Sequence, residues 1–189
     1  LNALGQYREA IDSYTQVIEL KPGFVEAHYN LGNALFGLGQ HEQAIVSYNK
    51  AIELKPDYVD AHNNLGNALT ELSQHEEAIN SYNKTIELTP DYIEAHYNLA
   101  NALNKLEQYE QAIVSYNKSI ELKPDYIEAH YNLANALVGL GQYEQAIVSY
   151  NKAIELKPDY VDAHNNLGNS LAELGQHEEA INNYNKTIE

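Results

Sequence analysis

The chain has 189 residues, of which 27 are acidic and 11 basic, giving a formal net charge of −16. Such a charge repels nucleic acid and an anionic membrane surface alike, since both are bound by neutralising phosphate with lysine and arginine. Cysteine is absent, which removes disulfides, thiolate metal sites and cysteine nucleophiles, and no apolar run approaches the ~20 residues that span a bilayer.

Five prolines, Pro22, Pro56, Pro90, Pro124 and Pro158, recur every 34 residues and mark a repeat. Residues 1–24 read as the tail of an earlier unit. Residues 25–58, 59–92, 93–126 and 127–160 align without a gap as full units, and 161–189 lacks only the end of a last one. Starting and stopping inside repeats, the chain reads as a single solenoid domain cut from a longer array. No secretory or membrane segment is evident, so the expected compartment is the cytoplasm.

Within the unit at 25–58, small and apolar residues at Leu31, Gly32, Ala44, Tyr48 and Ala51 precede Pro56, and Gly39 marks the end of a first helix. In the next unit, Asp57 is placed to cap the first helix and Asp60 to complete a capping box. Ala61, Leu65, Ala68, Leu69 and Leu72 follow with a 3.6-residue period. A second helix is predicted from about Glu76 to Leu88, stopped by Pro90. Ser73 here and Glu107 in the unit at 93–126 replace the turn glycine, and those turns should be looser. Gly141 and Gly175 restore it in the last two units. Two helices and short turns fill each unit, so the class is all-α.

Two columns of small residues tell how the helices approach. Gly32, Gly66, Ala100, Ala134 and Gly168 form one, and Ala44, Ala78, Ala112, Ala146 and Ala180 the other. A crossing at ~8–10 Å requires small side chains at the contact. A lone pair cannot bury its apolar face, so neighbours must share one core.

A 34-residue helix–turn–helix with Leu31, Gly32, Ala44, Tyr48, Ala51 and Pro56 in these places resembles the tetratricopeptide repeat. The resemblance covers the whole chain and implies a right-handed superhelical solenoid whose concave wall is made by the first helices. It departs from the family at His28, His62, His96, His130 and His164, where a tryptophan is usual. A longer period is also visible. Residues 59–87 and 161–189 differ at four places, Ala68/Ser170, Thr70/Ala172, Ser73/Gly175 and Ser81/Asn183, as expected of a duplicated block of three units.

One pattern runs against helix propensity. Asparagine forms helices poorly, yet Asn30, Asn64, Asn98, Asn132 and Asn166 recur in one column and Asn33, Asn67, Asn101, Asn135 and Asn169 in another. On a helical wheel Glu94, Asn98, Asn101 and Lys105 share a stripe opposite Ala95, Leu99, Ala102 and Leu103. By the family resemblance this stripe lines the groove. A side-chain amide donates and accepts as a peptide does, so a ladder of them suits an extended peptide of any sequence. Repeats ~10 Å apart match roughly three peptide residues at ~3.3 Å each. Several bonds of ~0.5–1.5 kcal/mol, helped by the rings of Tyr29, Tyr97 and Tyr131, reach the micromolar range. The columns also resemble the repeat arm of the O-linked N-acetylglucosamine transferases, whose AH-x-NLA wording returns in IEAHYNLA at Ile93 and Ile127. That resemblance implies substrate gripping through the first column, with the second as accessory. The competing reading is compositional, since Asn49, Asn83, Asn117 and Asn151 occupy second helices.

The other columns are weighed the same way. The five first-helix histidines lie one per repeat, too far apart to share a zinc at ~2.1 Å per ligand, and read as packing. No metal or cofactor is expected. Glu26, Asp60, Glu94, Glu128 and Asp162 either complete capping boxes or favour a basic peptide at the groove edge. No nucleophile, phosphate loop or paired-acid arrangement supports catalysis. The leading function is a non-catalytic protein-interaction scaffold holding an extended peptide. The alternatives are head-to-tail self-association through unsealed ends and the substrate-holding arm of a larger enzyme.

Overall fold

The computed structural model describes residues 2–186. Among them every regular element is an α-helix: α1 (Asn2–Leu20), α2 (Val25–Gly37), α3 (His41–Leu54), α4 (Val59–Glu71), α5 (His75–Leu88), α6 (Ile93–Lys105), α7 (Tyr109–Leu122), α8 (Ile127–Gly139), α9 (Tyr143–Leu156), α10 (Val161–Glu173) and α11 (His177–Asn185). They gather into two compact units, Leu1–Ala95 and His96–Glu189. In the first, α1 packs on α2, α2 on α3, α3 on α4 and α4 on α5. In the second, α7 to α11 follow the same rule, each on the next. Within each unit this is the consecutive all-α helix-pair packing that the resemblance implies.

The turns inside the pairs correct one expectation. Gly39, Gly141 and Gly175 take φ of 75°, 70° and 74°, the left-handed region where a Cβ is penalised. Ser73 and Glu107 take the same conformation, at 58° and 57°. Their turns keep both hydrogen bonds, slightly lengthened at Glu107 and Gln108 to 3.1 and 3.0 Å. The bonds Ser73 N–H to Thr70 O and Gln74 N–H to Leu69 O are both 2.9 Å, equal to those of Gly39 and Gln40. Neighbouring contacts hold the turn, so the missing glycine shows up as backbone strain instead.

The expected capping box is also absent. The N-cap of α4 is Tyr58, whose side chain makes no capping bond. Asp57 and Asp60 have the right spacing, but the helix starts one residue later than a box at Asp57 requires. Asp60 therefore falls in the first turn, where its charge still favours the helix dipole.

Close approach explains the small columns. A Cβ on Gly32 would lie 2.5 Å from Tyr48 Cε1, and one on Gly66 the same distance from Tyr82 Cε1. Tyr48, Tyr82, Tyr116 and Tyr150 are the largest fully buried side chains. Ala100 and Ala134 do carry that Cβ, and there the tyrosine hydroxyl sits 2.6 Å from its asparagine, against 2.9 Å in the glycine units. The extra methyl goes with a shorter tyrosine–asparagine hydrogen bond. Each first-helix histidine resolved in this respect fastens the loop before it. Nε2 of His28, His62, His130 and His164 meets the carbonyl oxygen of Pro22, Pro56, Pro124 and Pro158 at 2.8–3.0 Å. The packing reading of that column holds, with the hydrogen bond as its content.

Candidate functional site: the asparagine face

The paired asparagines meet across the joint between consecutive repeats. In the first unit, Asn64 Nδ2 donates to the Tyr29 hydroxyl at 3.1 Å and to Asn33 Oδ1 at 3.0 Å. Asn33 Oδ1 also accepts from the Tyr48 hydroxyl at 2.9 Å. The second unit repeats the arrangement twice. Asn132 donates to Tyr97 and Asn101, and Asn166 to Tyr131 and Asn135, all at 3.0–3.2 Å. Tyr116 and Tyr150 close the two networks from behind at 2.6 Å. Tyr82 and Tyr184 donate likewise to Asn67 and Asn169 at 2.9 Å.

The helix geometry dictates this. Positions three apart on one helix point to one side, so the second asparagine of a pair reaches both its own second helix and the following repeat. The tyrosine column that completes the network was legible only as bulk. The available signal was its hydroxyl: five tyrosines, each 15 residues after an asparagine, with no phenylalanine among them.

Within each unit the sequence-predicted residues therefore sit at the joints between repeats, half-buried for the most part, with Asn98 at the matching place on α6 and Asn169 exposed. Part of their hydrogen-bonding capacity goes into the fold, and part does not. Among the described residues, the Nδ2 amides of Asn33 and Asn135 and the Oδ1 atoms of Asn132 and Asn166 make no hydrogen bond, and none is sealed from solvent. Asn30 makes none with either atom. The joint of Asn135 and Asn166 thus keeps both a donor and an acceptor in reach of solvent, that of Asn33 a donor and that of Asn132 an acceptor. Clefts of about 220 and 250 Å³ open at these places. Asn33, Tyr48, Asn64 and Asn67 line the first, and Asn135, Tyr150, Asn166 and Asn169 the second.

Tyr29, Tyr97 and Tyr131 do not stand free in the clefts. Each ring is tilted against Tyr58, Tyr126 or Tyr160 at 4.7–4.9 Å, and its hydroxyl is used by the next asparagine. A lysine then lies over the outer ring: Lys55, Lys123 and Lys157 are 4.7–5.1 Å from the centroids. Burial raises the phenol pKa of Tyr48, Tyr116 and Tyr150 well above the usual value. Tyr82 is held at about 12, burial outweighing its bond to Thr70. The acidic column is exposed beside the outer tyrosines. After burial and Tyr29, the carboxylates of Asp60 and Glu26 keep the Tyr58 phenol raised.

Larger clefts, of about 490 and 420 Å³, lie between second helices, floored by Leu31 or Leu133 and edged by exposed Val46 or Val148. Asn80 and Asn182 take the valine position in two repeats, so that apolar strip is interrupted. Among the described residues no three His, Asp or Glu side chains gather as metal ligands, and no helix is long and apolar enough to cross a membrane.

Comparison with known proteins bears on the fold and the family. A family model described as TPR repeat matches five times, over residues 1–39, 32–73, 66–107, 100–141 and 134–175. A solved structure of MamA protein is similar at 26% identity and a TM-score of 0.84, covering 87% of this chain and 90% of that one. YrrB, described as a TPR protein with an unusual peptide-binding site, is similar at 25% identity and a TM-score of 0.83, over 94% of this chain and 92% of that one. MamA from Desulfovibrio magneticus RS-1 shares the fold at 23% identity and a TM-score of 0.84, over 87% and 93%. Comparison with curated proteins finds no match.

Proposed function

Because the chain belongs to the tetratricopeptide repeat family, whose members are generally non-catalytic scaffolds for protein or peptide partners, we propose that its asparagine face holds an extended peptide by the backbone. The observation that carries this is the division of labour at the joints, which is complete between Asn135 and Asn166. One half of the paired amides fixes the repeats to each other. The other half, Nδ2 of Asn33 and Asn135 and Oδ1 of Asn132 and Asn166, keeps a donor and an acceptor open to solvent.

Amides already tied at one end lose little further freedom on binding, which reduces the ordering cost of the complex. Backbone recognition leaves the peptide's sequence loosely specified, and the exposed column Glu26, Asp60, Glu94, Glu128 and Asp162 favours basic side chains along one edge. The peptide-binding description of YrrB supports a peptide as the partner.

A clean test removes the outward donor and keeps the joint. Asn33→Asp with Asn135→Asp preserves the Oδ1 that accepts from tyrosine and asparagine while deleting Nδ2. Capture of an uncharged extended-peptide library should weaken by about 5- to 150-fold, the loss of two bonds of ~0.5–1.5 kcal/mol. Circular dichroism checks that the variant is folded. Unchanged capture by a folded variant would make the amides idle surface.

A further inference from the structure

One repeat breaks a pattern that the others keep. In repeats 25–58, 93–126 and 127–160 a first-helix tyrosine, a loop tyrosine and a lysine are stacked in that order. In repeat 59–92 both outer members are changed, Asn63 standing for the first tyrosine and Thr89 for the lysine. Tyr92 keeps the middle position alone. Among the described residues no cation lies over its ring, which is half-buried as Tyr58, Tyr126 and Tyr160 are.

The surroundings of Tyr92 suit a cation. Its hydroxyl donates to Asp60 Oδ1 at 3.3 Å. Burial, then Asp60, then Glu94 and Tyr29 push the phenol up to about 12, so the ring stays neutral at any physiological pH. Asp60 and Glu94 are both exposed, and no described lysine or arginine is paired with either. At the first-helix position where three other repeats have a ring, Asn63 is 5% exposed and its Oδ1 is buried without a partner. The same ring position carries an ammonium group in three sister repeats, supplied there by the lysine three residues before the ring.

We propose that the face of Tyr92, flanked by Asp60 and Glu94, seats one lysine or arginine side chain of the bound peptide, in the place that the chain's own lysine fills elsewhere. The identity of the partner rests on the peptide-holding reading above; the seat itself does not. It would give an otherwise sequence-tolerant groove one fixed point, setting the register in which a peptide lies.

The test uses the whole chain with ring-labelled tyrosine, followed by nuclear magnetic resonance. Tyr92→Phe identifies the signal. Acetyl-arginine methylamide is the cationic probe and acetyl-alanine methylamide the neutral one. Thr89→Lys restores the covering lysine, a residue that three repeats already accept. The arginine probe should move the Tyr92 signal, with an effect about fivefold smaller in Thr89→Lys, and the alanine probe should leave it still. No movement in the unaltered chain, or equal movement in Thr89→Lys, overturns the seat. A responsive Tyr92 in a protein that captures no peptide would refute the backbone groove and leave the seat standing.

Discussion

Glu107 occupies a backbone conformation, φ 57°, that three other repeats give to glycine. A side chain there costs roughly 1–2 kcal/mol, partly offset because glycine loses more entropy on folding. Glu107→Gly and Ser73→Gly should each stabilise the chain by about 0.5–1 kcal/mol, read as a higher urea midpoint with an unchanged slope. Gly39→Ser would shift it the other way. At this scale the sequence was informative about kind and silent about partners. That Ser73 and Glu107 were irregular could be read directly; that their turns keep full hydrogen bonding could not, because the geometry is enforced by the packed helices on either side. The asparagine columns were likewise visible. Their partners, 15 and 31 positions away at Tyr48 and Asn64 for Asn33, depend on the register between helices, which no local pattern encodes.

Helices were the most legible level. The predicted second helix, from about Glu76 to Leu88, starts one residue earlier at His75 and ends as expected, since Pro90 dictates the stop and hydrophobic spacing the span. The start of α4 was misjudged because capping residues were read without knowing which residue turns helical first. The helix crossing is set by Gly66 against Tyr82. Ala100 and Ala134 stand at the same place in α6 and α8, so Gly66→Ala should be accommodated by a shifted ring at a cost below about 1 kcal/mol, helped by better helix propensity. Gly66→Val leaves no such escape and should cost about 2 kcal/mol or more by overpacking. Thermal unfolding of the two variants side by side checks the ordering; equal loss in both would mean the ring does not yield.

For the molecule as a whole, charge and tyrosine dominate. Lys50, Lys84, Lys118 and Lys152 each pair with a glutamate three residues on, and those exposed pairs stabilise little. Lys55, Lys123 and Lys157 lie over tyrosines. Tyrosine also sets an upper pH limit. The phenols of Tyr48, Tyr82, Tyr116 and Tyr150 are raised by burial in the folded chain, whereas in the unfolded chain they titrate near the ordinary value of about 10. Below that value both states hold the protons and the stabilisation is complete. Above it the unfolded chain releases protons first, and stability falls as pH rises, by about 1.4 kcal/mol per pH unit for each buried tyrosine. Unfolding should therefore set in between pH 10 and about 12, where Tyr82 itself titrates, and the loss of helix content should bring a step in phenolate absorbance beyond that of the tyrosines outside the core. Ionisation of all 16 tyrosines in a chain of intact helicity would show that these four are not as enclosed as their burial implies.

The joint has a further consequence for how such a chain changes length. Its donor, Asn132 or Asn166, and its acceptors, Tyr97 with Asn101 or Tyr131 with Asn135, belong to different repeats and recur in the same order. Loss of residues 127–160 would bring Asn166 to the acceptors that Asn132 holds now, and every surviving surface would meet the kind of surface it met before. A gain or loss of any other size would set an asparagine against a face with neither hydroxyl nor amide. Copying and excision in whole 34-residue steps are thus the edits this architecture tolerates, and the near-identical segments 59–87 and 161–189 are what such a history leaves behind.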